Sequence, residues 1–126
     1  MLKFNVSGLA AKEIADKVVE VGGDQVEARI MADIVGAKEV SQGKADYYLG
    51  ACATGGGGAL SMAIAILGYN NCLTVSTAGK TPKEAEIREA VWNGKKAFGF
   101  SCDHVDLAVP LIVRAALMRR AEQGPG

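Results

Sequence analysis

Residues 45–67 read ADYYLGACATGGGGALSMAIAIL, and this stretch decides the fold. An apolar run from Tyr47 to Leu49 leads through Cys52-Ala53-Thr54 into four consecutive glycines, Gly55 to Gly58, and then into the small apolar residues Ala59 to Leu67. The pattern is a strand, a tight turn and a helix. A turn made of glycines exposes successive backbone N–H groups with no side chain in the way. A helix start adds unsatisfied N–H groups and a partial positive charge. Together these are the ingredients of an anion pocket. No Lys-Ser or Lys-Thr follows the glycines, so the stretch is not a phosphate loop, and the lack of a GxGxxG with an acid on the next strand speaks against a dinucleotide.

Outward from this unit the same alternation repeats. Leu2, Phe4 and Val6 alternate with Lys3 and Asn5 as a first strand, broken by Ser7-Gly8. Residues 10–21 place Ile14, Val18 and Val21 at helical spacing and end at Gly22-Gly23. Val26, Ala28 and Ile30 mark a second strand, and residues 33–42 a helix ended by Gly43. The third strand, from Tyr47, is more continuously apolar than the first two and is therefore expected near the centre of the sheet. Cys72 to Val75 make a fourth strand. Thr81-Pro82-Lys83-Glu84 predicts a capped helix start with Pro at the first helical position, running to about Trp92. Residues 96–100 predict a fifth short strand, and residues 103–123 a helix kinked or divided at Pro110.

Strands alternating with helices at this spacing predict one Rossmann-like three-layer α/β domain, residues 1–126, with a mostly parallel sheet of four to five strands. Ligands of such sheets bind beyond the carboxyl ends of the strands. Four segments are expected to gather there: Ser7-Gly8, Ala32-Asp33, the glycine turn and Ser76 to Lys80.

Charge and composition narrow the function classes. Fourteen basic and fourteen acidic residues cancel, and the pI is about 6.6, which argues against a general nucleic-acid binder. Arg114, Arg119 and Arg120 near the end suit the negative end of a helix. The longest small-apolar run is about half the ~18 residues of a membrane span, so no membrane association is expected. MLKFNVSGL lacks the pattern of a secretory signal. Three cysteines without CxxC spacing predict neither a disulfide framework nor zinc, and point to reduced thiols in the cytoplasm.

The candidate chemical groups each have a plain alternative. Cys52, at the edge of the turn, is a thiol that neighbouring N–H groups would activate as a base, or a small buried hydrophobe. Thr54 binds the same anion or caps the turn. The glycines form an anion cradle or let the helix pack closely on the sheet. His104, the one histidine, stands between Asp103 and Asp106 as a proton carrier, or bonds a neighbour at a helix start. His104 with those acids makes a poor metal site, because neighbours one and two positions apart do not share a helix face. Neither metal nor cofactor is expected.

CATGGGGALSMAIA resembles the ribose-5-phosphate isomerase B and galactose-6-phosphate isomerase group, which carries a Cys-Gly-Thr-Gly turn before a small-residue helix. The match falls on Cys52, Thr54, Gly55 and Gly57. It implies Cys52 as the base that moves a proton between sugar carbons and Gly55 to Gly58 as the anion hole. Ala53 stands where that group has glycine, and Ser7-Gly8 where it has an Asp-His pair. His104 has no counterpart there. The size also resembles the sugar-phosphotransferase B components, but their phosphorylated cysteine is missing from the first loop. Over its whole length, through GACATGGGGA and SCDHVDLAVPLIVRA, the chain resembles the uncharacterised bacterial YhfU-like family, which implies a link to sugar or amino-acid catabolism and transport.

These features lead to an expectation of a cytoplasmic protein that binds a small anionic metabolite, a phosphorylated sugar, through Ser7, Gly8, Thr54, Gly55, Gly56, Gly57 and Gly58. One alternative is an isomerase-like enzyme with Cys52 and His104 as its catalytic pair. Another is an accessory or structural subunit. A homo-oligomer is expected, since the apolar side of residues 109–117 suits a partner chain as readily as the sheet.

Overall fold

The computed structural model describes residues 1–54 and 57–123. Five strands, β1 (Leu2–Gly8), β2 (Val26–Ile30), β3 (Tyr47–Cys52), β4 (Cys72–Thr74) and β5 (Ala97–Ser101), form one sheet in the order β2-β1-β3-β5-β4. Every neighbouring pair is parallel. Helices α1 (Ala11–Gly22), α4 (Glu84–Trp92) and α5 (Val105–Gln123) cover one face, while α2 (Asp33–Ser41) and α3 (Ser61–Leu67) cover the other. This is the expected three-layer Rossmann-like α/β fold, with β3 at its centre.

The two faces are packed differently. Phe4, Val6, Leu49, Phe98 and Phe100 meet Ile14, Val18, Ile87, Val91, Ile112 and Val113 in the larger core. Tyr48, Cys72 and Ala97 meet Ala37, Val40, Leu60 and Ala63 in the smaller one. Two polar residues of β1, Asn5 and Ser7, are also buried. Asn5, fully buried, donates to the Gly36 carbonyl at 3.2 Å and to Glu39 Oε1 at 3.1 Å, tying α2 to the sheet.

Several local expectations change. Ser7 and Gly8 do not break β1 but complete it, pairing with Gly50 and Ala51 of β3. Gly8 has φ +87° and its Leu9 neighbour donates to the Ala51 carbonyl at 3.1 Å; a Cβ at Gly8 would lie 2.3 Å from that oxygen. Glycine is required there by both conformation and space. A 3₁₀ turn over Gly57–Ala59 comes before α3, which therefore starts at Ser61 rather than at Ala59. Thr81 does not cap α4. The chain is still extended at Lys83, the residue in the cap position, and no side chain caps the helix, which begins at Glu84. A 3₁₀ turn over Cys102–His104 opens the tail, and α5 then continues undivided through Pro110. The carbonyl that loses its partner to Pro110 is that of Asp106, an exposed residue where water can serve it.

Candidate functional site

The strand order sets the location. The connection after β1 leaves to the α1 face and the connection after β3 to the α3 face, so a crevice opens beyond the carboxyl ends of these two adjacent strands. A cavity of about 140 Å³ lies there. Ser7 and Gly8 of β1 line it together with Met31, Ala32 and Asp33 at the β2–α2 junction. Tyr48 and Ala51 of β3, and Gly58 and Ala59 of the 3₁₀ turn, complete the wall.

Tyr48 reaches this crevice because of two glycines. It starts in mid-strand, two residues before Gly50 on the same face of β3. A Cβ on Gly50 would stand 3.1 Å from the Tyr48 hydroxyl and 2.8 Å from the Ala59 carbonyl oxygen. A Cβ on Gly36 of α2 would stand 3.2 Å from the ring. The ring therefore runs along the strand between α2 and the bare backbone of Gly50, and its hydroxyl hydrogen-bonds Ser7 Oγ. Burial pushes the Tyr48 phenol above its ordinary range. The Ser7 hydrogen bond opposes this and the Asp33 charge adds to it. The group thus stays a neutral phenol across the physiological range. Asp33, at the start of α2, accepts the Ile34 N–H at 2.7 Å and supplies the crevice with a carboxylate.

A second polar cluster follows at the ends of β3 and β5. Cys52 pairs in register with Ser101, and its Sγ lies 3.9 Å from where a Gly58 Cβ would be. The fully buried Ser101 donates to the Ala53 carbonyl at 3.4 Å and caps the 3₁₀ turn by accepting the Asp103 N–H at 3.4 Å. The fully buried Ser76 accepts the Ser101 N–H at 3.3 Å, and its Oγ lies 2.9 Å from His104 Nδ1.

The residues expected to form one site divide between these two clusters. Ser7, Gly8 and Gly58 meet in the crevice. Cys52 stands beside it against Gly58, and Thr54 is exposed with its carbonyl accepting the Ala78 N–H at 2.8 Å. His104 belongs to the β5 end, held by Ser76. Gly57 is part of the 3₁₀ turn, and Gly55 and Gly56 lie outside the described residues. Tyr48, Ser76 and Ser101 are additions. Ser101 could have been noticed as the one polar residue closing the apolar run AFGFS. Tyr48 gave no such sign, since an aromatic in a central strand reads as core. Two strand-end or loop cations near this end of the sheet are engaged: Arg29 pairs with Glu39, and Lys80 with Glu86 at 3.5 Å.

A larger cavity, about 310 Å³, lies at the opposite, amino ends of the strands. Size alone favours it, but the convergence of strand ends, loops and buried hydroxyls favours the crevice. Among the described residues no three His, Cys, Asp or Glu side chains gather as a metal shell, and no helix is long and apolar enough to cross a membrane.

Residues 2–116 match the family described as Protein of unknown function DUF2620. The Uncharacterized protein YhfU of Escherichia coli strain K12 is 39% identical over 113 residues, covering 90% of this chain and 97% of the relative. The proteins of the same description from Escherichia coli O6:H1 and Shigella flexneri align with the same figures. No solved structure matches the chain. The chain belongs to this family of YhfU-like proteins.

Proposed function

We propose that this family member binds a small hydroxylated anion, a phosphorylated sugar, in the crevice beyond β1 and β3. The observation that carries the reading is the convergence of Ser7, Tyr48 and Asp33 on one cavity at the strand crossing. The Asp33 carboxylate offers acceptors to sugar hydroxyls, above a floor in which the nearly buried Ser7 and Tyr48 hydroxyls bond each other. The Asp33 carboxylate repels a phosphate, so the charged end of the ligand points away from α2, toward the turn that carries Gly57 and Gly58. The cavity is small against the ~300 Å³ and upward of typical ligand sites, which suits one end of such a ligand with the rest extending over the turn.

The test is calorimetric titration of the full chain with ribose 5-phosphate, ribose and inorganic phosphate in separate arms. Saturable binding of the sugar phosphate is expected, weakened about tenfold or more by Asp33→Asn, as for loss of a charge-assisted hydrogen bond. Absence of saturation with all three probes, or an affinity unchanged in Asp33→Asn, overturns the reading. Turnover is a separate matter. If the site isomerises its ligand with Cys52 as base, Cys52→Ser keeps binding and loses conversion of the sugar phosphate, followed by proton exchange with solvent.

A further inference from the structure

The cavity at the amino ends of the strands is bordered by Lys96, Arg119 and Arg120, with Asp46 as its one acid. Five of the other basic side chains are paired: Lys12 with Asp16, Lys17 with Glu20, Arg29 with Glu39, Lys80 with Glu86 and Arg88 with Glu84. Among the described residues, none of the three cations at this groove lies within ion-pair distance of a carboxylate. Asp46 turns to the backbone instead, its Oδ2 accepting the Lys3 N–H at 2.8 Å. The groove thus holds three positive groups against one negative group that is already hydrogen-bonded. The partial negative charge at the carboxyl end of α5 reduces the excess but does not cancel it.

One of the cations also lies beside a fixed ring. The Tyr47 ring stacks on Phe4, with centroids 5.3 Å apart, and lies 6.2 Å from Phe98. Arg119 borders the same groove, and its charge beside the Tyr47 phenol opposes the rise in pKa that burial causes. An arginine packed beside a buried, stacked tyrosine loses less freedom on meeting a ligand than one on an open surface. At about 310 Å³ the groove is at the lower end of small-molecule sites. A guanidinium fork matches the paired oxygens of a phosphate.

We propose that this groove is a second ligand site, distinct from the crevice at the other end of the sheet, that binds the phosphate group of a small phosphate ester. Arg119 and Arg120 take the phosphate oxygens and Lys96 adds charge from the β5 side. Tyr47 is a positioning residue that acts through Arg119.

The experiment is an NMR titration of the ¹⁵N-labelled full chain with glycerol 3-phosphate, and in a second arm with inorganic phosphate. Saturable shifts centred on the amides of residues 96, 119 and 120 are expected with either probe, weakening as salt is added. Arg120→Gln, a change at an exposed side chain, is expected to lower the affinity about tenfold. Tyr47→Phe, which keeps the stacked ring, is expected to weaken binding while Lys96 and Arg120 remain. Asp33→Asn leaves these shifts unchanged, which separates this site from the crevice. No saturable shifts at residues 96, 119 and 120, or shifts there that survive both Arg120→Gln and Tyr47→Phe, overturn the proposal.

Discussion

Ser7 and Tyr48 are each nearly inaccessible to water, so each hydroxyl depends on the other. Removing one leaves its partner buried with a lost hydrogen bond, whereas removing both deletes the need as well as the bond. Tyr48→Phe and Ser7→Ala are each expected to cost about 1–3 kcal/mol in urea unfolding, and the double variant less than their sum. The same burial gives a pH dependence. The folded Tyr48 phenol titrates above its ordinary value of 10.0, mainly because burial disfavours the phenolate. Below that value both states keep the proton, and the full contribution to stability is present. As pH rises past it, the unfolded chain releases the proton first, so stability falls through the folded value. Buried Tyr47 shifts in the same direction, and Cys72 does so from 9.0. Urea midpoints measured from about pH 8 to about pH 11 are expected to decline, and less steeply in Tyr48→Phe.

At the level of elements, local signals and tertiary packing compete for the same residues. Thr81-Pro82-Lys83-Glu84 is a strong local start, yet Lys83 has φ −116° and ψ 122° and the helix waits until Glu84. Before it, Thr77 and Lys80 bond each other across a tight turn, and Ala78 reaches back to the Thr54 carbonyl. The segment is committed to the β3 end of the sheet before the helix can begin. Thr81→Ala is therefore expected to change unfolding stability by less than about 0.5 kcal/mol, against the ~1 kcal/mol typical of a lost cap. A loss of the larger size would restore Thr81 as the cap. Ser101 behaves in the opposite way: its one local sign is that it closes the apolar run AFGFS, yet its buried hydroxyl joins the residue after β3 to the 3₁₀ turn, and its amide bonds Ser76.

For the whole molecule, the sheet order places the apolar strands inside. β3 and β5 are paired on both sides, whereas β4 is a three-residue edge strand with Thr74 exposed. Amide exchange followed by mass spectrometry is expected to be slowest in Tyr47–Cys52 and Ala97–Ser101 and fastest, among the strands, in Cys72–Thr74. Equal protection of β4 and β5 would contradict the order. The two ends of the sheet also differ in character: hydroxyls and one carboxylate at the carboxyl end, and at the amino end three basic side chains with no ion pair among the described residues.

The alternation of strand and helix was legible in the sequence because its signals are local: apolar spacing of two or 3.6 residues and glycines at the breaks. That alternation determined the α/β layers, the central place of Tyr47–Cys52 and the end of the sheet at which Ser7, Gly8 and Gly58 would meet. Tertiary structure alone decided that β5 slips between β3 and β4, since adjacency depends on which faces find room. A Cβ on Gly99 would lie 2.6 Å from Leu60 Cγ, so the glycine in β5 is what lets Leu60 close the smaller core. It also decided that Tyr48 reaches the crevice. Its hydroxyl reaches Ser7 across a space that Gly36 and Gly50 leave empty, and those three elements meet only once the chain is folded.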